Sequence, residues 1–150
     1  MVAPIAGGQW MEIKPDGDDL SALYLSGHFL RRGEVPPLKG SRFFVRKLDD
    51  DGNTLRGDCV VAFEGKMPET RWWFVSAEAK NTRTALDAGE AVREASGNYT
   101  ISISNNPVPG NWLVPPTTGT YAITLVLLDA ATEANGTTPS LPKVKRLWCS

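Results

Sequence analysis

The chain has 150 residues, which is the size of one ordinary domain and too short for two comfortable ones. Hydrophobic residues make up 41%, and five Trp and five Phe supply bulky core material, so the composition argues against intrinsic disorder. Lys and Arg total 16 against 17 Asp and Glu, with no long run of one sign. A nucleic-acid-binding protein needs a basic patch to replace counterions around phosphates, so that class of partner is excluded here.

Residues 1–16 are predicted to form an irregular N-terminal arm, followed by a single domain over residues 17–150. The domain begins with a predicted helix over residues 18–32, because Asp18 or Asp19 can cap its first turn. Apolar residues then recur near a 3.6-residue period, and Gly33 suits the position after the last turn. This is the one helix that the sequence predicts outside the ambiguous segment described below.

From residue 41 onward the hydrophobic period changes to two, which is typical of strands. The Asp-Gly in Asp49–Asn53 predicts a hairpin between the first two strands, and 120–128 reads as a central strand. Residues 80–95 are ambiguous and include a possible short helix, whereas 105–116 is predicted to be a loop. Turns recur at short intervals, and strands do not alternate with helices as in βαβ units. This pattern favours a mainly β fold, namely an antiparallel β-sandwich or jelly roll. The predicted strands are 41–47, 58–64, 71–79, 99–104, 120–128 and 143–149.

The two cysteines are Cys59, in an apolar run, and Cys149, the penultimate residue. Terminal segments fray unless they are tied down, so a disulfide between the two is favoured over a pair of free thiols. In the last predicted strand, Val144, Arg146 and Trp148 alternate with Lys145, Leu147 and Cys149.

The ordered set of motifs resembles the domain-of-unknown-function family 1214, most closely its short bacterial members, over roughly residues 9 to 150. Its most specific parts are Arg71-Trp72-Trp73 and Asn111-Trp112-Leu113. The remaining parts are Gly8-Gln9-Trp10, Asp50-Asp51-Gly52, Leu55-Arg56, Asp58-Cys59, Pro68, Pro116, Leu125, Leu127, Leu141-Pro142 and Cys149.

The resemblance implies a jelly-roll β-sandwich, a periplasmic or cell-envelope location, and a disulfide between Cys59 and Cys149. It carries no settled catalytic mechanism. The family usually continues after Arg71-Trp72-Trp73 with Ser, an aromatic residue and an Asp-containing turn, and here Phe74–Ala79 stands instead.

No stretch of the chain approaches the length of a transmembrane helix, and residues 1–8 lack the features of a signal peptide. The family's short members usually follow a membrane anchor or leader. The chain is therefore expected to be either naturally leaderless or trimmed behind such a segment.

Residues that could perform catalysis are scarce. The single histidine, His28, lies in the predicted helix, and the sequence has no GxSxG motif that would present a serine nucleophile to it. Glu64, Glu69 and Glu78 lie on or near predicted strands and are interpreted as surface charges rather than a glycosidase pair. The sequence has neither a CxxC nor a phosphate-binding loop, and Asp49–Asn53 suits a turn better than a calcium loop. Hence no metal or cofactor is expected.

The aromatic residues suggest binding instead. Trp72 and Phe74 should face one side of their strand and Trp73 the other, while Trp112 lies in a predicted loop. Tryptophan stacks on sugars and on partner surfaces, whereas the alternative, favoured for Trp112 itself, is that it folds back as a plug over one edge of the sandwich. Arg71 can bind a carboxylate in bidentate fashion, either a ligand's or an internal one.

The leading hypothesis is a non-catalytic envelope module that binds an envelope protein or glycan. The residues assigned to this binding surface are Trp112, Asn111, Arg71 and Trp73. The alternatives are a carbohydrate-active hydrolase or lyase using unidentified carboxylates, in which the cleft would hold two carboxylates, and a structural accessory domain.

Overall fold

The computed structural model describes residues 2–4, 10–13, 42–68, 70–80, 82–130 and 140–150. They form two sheets with no helix among the described residues, and hence none that could cross a membrane. The predicted helix over 18–32 lies outside them. The strands are β1 (Val2–Pro4), β2 (Met11–Ile13), β3 (Arg42–Arg46), β4 (Cys59–Gly65), β5 (Thr70–Ala79), β6 (Thr82–Asp87), β7 (Tyr99–Ile103), β8 (Asn111–Leu113), β9 (Ala122–Ala130) and β10 (Lys143–Cys149).

One sheet has six strands in the order β1-β2-β3-β9-β5-β6, and the other has four in the order β10-β4-β7-β8. Alternate residues of each sheet enter one shared core, such as Phe44 and Leu125 from the first sheet and Phe63 and Ile101 from the second. All four are fully buried, and each stabilises the fold by roughly 1.5–3 kcal/mol. The two sheets therefore form a β-sandwich, and the prediction of a mainly β fold is confirmed.

The predicted strands are observed, and 120–128 is indeed central, because β9 lies between β3 and β5. Other predictions about secondary structure were wrong. Residues 111–113 form the short strand β8 inside the predicted loop, and the predicted irregular arm contributes β1 and β2, while residues 82–87, in the segment left ambiguous, form the strand β6. In each case pairing with a neighbouring strand outweighs a weak local preference. Pairing is antiparallel except between β7 and β8, which are parallel.

The predicted hairpin between β3 and β4 was also wrong, because these strands belong to different sheets. The Asp49–Asn53 segment is nevertheless a tight turn. The Asp49 carboxylate accepts hydrogen bonds from the backbone N–H groups of Asp51 and Asn53, each at 2.9 Å, and Gly52 adopts a φ of 85°. A single bridge between Leu48 and Thr54 closes the turn before the chain crosses to the second sheet.

Asp50, in this turn, connects the two sheets. Its backbone N–H donates to the Val144 carbonyl at 2.8 Å, and its carboxylate accepts from the Val144 N–H at 3.2 Å. The same carboxylate pairs at 3.0 Å with the guanidinium of Arg46, a buried residue of β3. Burial lowers the pKa of Arg46, and Asp50 opposes that effect. The carboxylate thereby compensates a buried charge while it fixes the start of β10.

Cys59 and Cys149 are directly opposed on β4 and β10 and form a disulfide. The bridge joins residues separated by 90 positions and fastens the end of an edge strand. The cysteine pairing inferred from the sequence is therefore present in the structure.

Removal of the disulfide should destabilise the protein. We expect Cys59→Ala/Cys149→Ala to lower the free energy of unfolding by about 4 to 5 kcal/mol, the loop-entropy value for a closed loop of this length. Urea denaturation with and without reductant measures this effect, and the double variant should be insensitive to reductant. Two titratable thiols in the oxidised, denatured wild type would contradict the assignment.

Candidate functional site

The face of the four-stranded sheet that points away from the core carries a band of polar and aromatic residues, most of them partly or well exposed, although Ala62 within it is buried. Strand registers place Lys145, Ala62, Ser102 and Trp112 in one row across all four strands. Paired residues of adjacent strands share a face, so all four project to the same side. The neighbouring row holds Lys143, Glu64 and Thr100. We call these seven residues, together with Val60 and Trp148, the outer face.

Trp112 is held in a fixed orientation on this face. Its indole Nε1–H donates to the Ser104 carbonyl at 2.8 Å, and the side chain is half-buried. Its neighbour Leu113 points the opposite way, into the core. In its row, Trp112 is adjacent to the small residues Ser102 and Ala62. An indole fixed beside small side chains leaves room for a flat ligand to stack.

Trp148 is the second aromatic residue of the outer face. It is 56% exposed on β10 and pairs with the outward-facing Val60. Simple alternation would place it on the same side as the buried Val144. A register shift between Arg146 and Trp148 brings it to the outside instead.

Trp112 and Trp148 lie on the two edge strands of this sheet. Three strand spacings separate them, roughly 14 Å across the sheet. A ligand that contacts both indoles must therefore be extended.

Beside the Lys143–Glu64–Thr100 row, the surface deepens into a cleft of about 620 Å³. Its polar lining combines two carboxylates, three ammonium groups, an amide and two hydroxyls. The residues are Glu64, Lys66, Glu94, Asn98, Thr100, Ser140, Lys143 and Lys145. Lys145 pairs with Glu64 at 3.1 Å, and the Thr100 hydroxyl donates to Glu94 at 2.6 Å. Both partners of the Lys145–Glu64 pair are well exposed, so a ligand can displace it at small cost.

Asn111 positions one wall of the cleft. Its carboxamide accepts from the Val92 N–H and donates to the Val92 carbonyl, both at 2.8 Å, as a paired strand would. It also donates to the Thr100 carbonyl at 3.1 Å. These bonds fasten the loop that presents Glu94 and Asn98 to β7.

The structure separates the residues that the sequence assigned to one binding surface. Trp112 lies on the outer face, whereas Asn111 contacts the loop behind it. Trp73 is 4% exposed and packs edge-to-face on Tyr99 in the core, with 5.0 Å between ring centroids. Arg71 belongs to β5, and its side chain lies outside the described part of the structure.

The predicted alternation around Trp73 is observed. Trp72 and Phe74 lie on the far side of the six-stranded sheet, where Trp72 is 40% exposed and Phe74 is buried with Phe43 and Val126. The exposed indole of Trp72 is thus on a different sheet from Trp112. Hence β5 and Trp112 do not form one surface.

The three glutamates considered from the sequence lie apart. Glu64 lines the cleft, Glu69 is outside the described residues, and Glu78 lies on the six-stranded sheet. Burial raises the pKa of Glu78, although its ion pair with Arg83 at 3.2 Å opposes the effect. Glu94 was missed, because it acquires its place only through the loop fastened by Asn111. Within the described ranges, no group of three acidic, His or Cys side chains could hold a metal ion.

Fold and site together define a two-sheet β-sandwich domain with a polar, aromatic outer face. The chain belongs to the family described as "Protein of unknown function (DUF1214)", whose model matches residues 40–132. No curated protein matches the chain.

Two solved structures share the fold. The VPA0106 protein from Vibrio parahaemolyticus matches with a TM-score of 0.60 and 19% identity, over 81% of this chain and 34% of that one. An uncharacterized protein from Burkholderia cenocepacia matches with a TM-score of 0.54 and 17% identity, over 73% of this chain and 30% of that one. The chain thus spans about a third of the length of each of these two proteins.

The positioning role of Asn111 can be tested by mutation. Asn111→Ala removes three hydrogen bonds, and we expect the free energy of unfolding to fall by about 1–3 kcal/mol, because the Val92 and Thr100 groups lose partners. Hydrogen exchange should accelerate selectively at the Val92 amide. Asn106→Ala, in an exposed loop, is the matched control. An unchanged Val92 exchange rate in Asn111→Ala would contradict this role.

Proposed function

We propose that this chain is a non-catalytic binding module of the bacterial cell envelope that binds an extended glycan on the outer face. The observation that carries the proposal is the placement of Trp112 and Trp148 on one face, at opposite edges of the sheet. A half-buried indole with a satisfied N–H is already ordered before ligand binding, so little conformational entropy is lost when a sugar ring stacks on it.

The proposed location rests on the disulfide. Disulfides persist in oxidising compartments and are rare in the cytosol, so the Cys59–Cys149 bridge supports a periplasmic or surface-exposed protein. The proposed topology is a jelly roll. It is supported by the way the chain alternates between the two sheets, crossing after β3, β4, β6, β8 and β9.

A carbohydrate-active hydrolase or lyase is the second candidate function, favoured by the two carboxylates in one cleft. Glu64 and Glu94 are however each engaged by a neighbour, Lys145 and Thr100 respectively. An enzyme would shorten the glycan that it binds, whereas a binding module would leave its length unchanged. Chromatography of the glycan after overnight incubation with the protein therefore separates the two functions.

The binding surface can be tested with one tryptophan variant. A thermal-shift screen against envelope glycans and peptidoglycan fragments finds a ligand first, since saturation at a hundred times the dissociation constant adds about 2.7 kcal/mol to stability. We then expect Trp112→Ala to weaken affinity by about 30-fold, the value of a 2 kcal/mol contact, as measured by calorimetry.

The matched control is Trp72→Ala, which removes a comparably exposed indole from the other sheet. It should leave affinity unchanged. A larger loss of affinity in Trp72→Ala would contradict the proposal. So would a loss of several kcal/mol of stability in Trp112→Ala, the size expected for a core tryptophan, since Trp112 would then serve packing. If no glycan binds, a protein partner or a structural accessory role becomes the better account.

A further inference from the structure

Two of the three lysines in the cleft are not ion-paired with any other residue that the structure describes. The ammonium groups of Lys66 and Lys143 make neither an ion pair nor a hydrogen bond with any other described residue, whereas Lys145 is paired with Glu64. The side chain of Lys66 lies beside the turn at Gly97. Its Cε atom is 3.8 Å from the position that a Cβ would take at Gly97. Lys143 occupies the β10 position opposite Glu64.

The charge in the cleft is therefore unbalanced locally, although the whole chain is nearly neutral at −1. Three ammonium groups face two carboxylates among the described lining residues, which leaves an excess of one positive charge. An anionic ligand group gains charge-assisted hydrogen bonds here, which are about twice as strong as neutral ones. A cation would instead meet repulsion.

We infer that the cleft binds the carboxylate groups of an acidic glycan, a chain containing uronic acid units. The inference rests on the proposed function, because it names the class of glycan that the outer face takes. Lys66 and Lys143 bind the carboxylate, and Asn98 and Thr100 face the sugar hydroxyls. The chain then runs across the adjacent row toward Trp112, which stacks on a further ring.

The arrangement favours an extended sugar chain over a free small anion. Lys143 of the cleft and the indole of Trp112 lie on adjacent rows of one face, on the two opposite edge strands of the sheet. A carboxylate alone reaches only the lysines. A sugar chain with regularly spaced carboxylates can bind the lysines through a carboxylate and at the same time stack one of its rings on Trp112.

The test uses a probe whose charge can be removed without changing its shape. Oligogalacturonate and its methyl ester have the same sugar rings, and only the first is anionic. Calorimetry with the intact protein should show the acid binding at least tenfold more tightly than the ester, with an affinity that falls as salt rises. Oligomannuronate is a second acidic probe with different ring geometry.

The matching variant is Lys66→Gln/Lys143→Gln. It should lower affinity for the acid at least tenfold and leave affinity for the ester unchanged. Lys47→Gln, which removes an exposed lysine at the end of β3, is the control and should change neither.

The possible failures are distinguishable. Equal affinity for acid and ester, with both weakened by Trp112→Ala, overturns the acidic class but leaves the proposed glycan-binding face standing. An acid preference that survives the double lysine variant overturns the assignment to this cleft. Absence of binding by both acidic probes overturns the inference. If the whole glycan panel also fails, the proposed function falls with it.

Discussion

The candidate site depends on the position of β10, which supplies one side of the outer face. An edge strand at the end of a chain frays unless it is fixed, and this strand is fixed at both ends. The Cys59–Cys149 disulfide fastens its last residues to β4, and Asp50 bonds both backbone groups of Val144 near its start. Between these two attachments the strand can expose Trp148 without separating from the sheet. The disulfide therefore contributes to the geometry of the site as well as to stability.

The two sheets differ in what their outer sides carry. The outer side of the six-stranded sheet holds a buried apolar cluster of Phe43, Phe74 and Val126. The outer side of the four-stranded sheet carries small and polar residues between its two indoles. A sandwich leaves each sheet one face free of the shared core, and among the described residues Ser102 and Trp112 on this face are partly exposed.

Most of the fold could be predicted from the sequence, because period-two alternation in long strands reports burial directly. What could not be predicted was non-local: that the turn at Asp49–Asn53 leads into another sheet, and that Asn111 begins a strand. The candidate site was harder to predict from the sequence than the fold. Alternation placed Trp148 inside, and only the register shift after Arg146, which leaves no sequence signal, turns it outward. Trp112 stays a candidate binding residue on the outer face, whereas Trp73 fills the core.

The indole N–H signals in a ¹⁵N-labelled sample test the central claim most directly, since the chain has five tryptophans. Titration with a glycan found to bind the protein should shift the Trp112 and Trp148 signals and leave those of the buried Trp10 and Trp73 in place. Trp72, exposed on the other sheet, should also be unaffected. A shift confined to Trp72, or ligand binding that moves neither Trp112 nor Trp148, would contradict the assignment of the outer face as the binding surface.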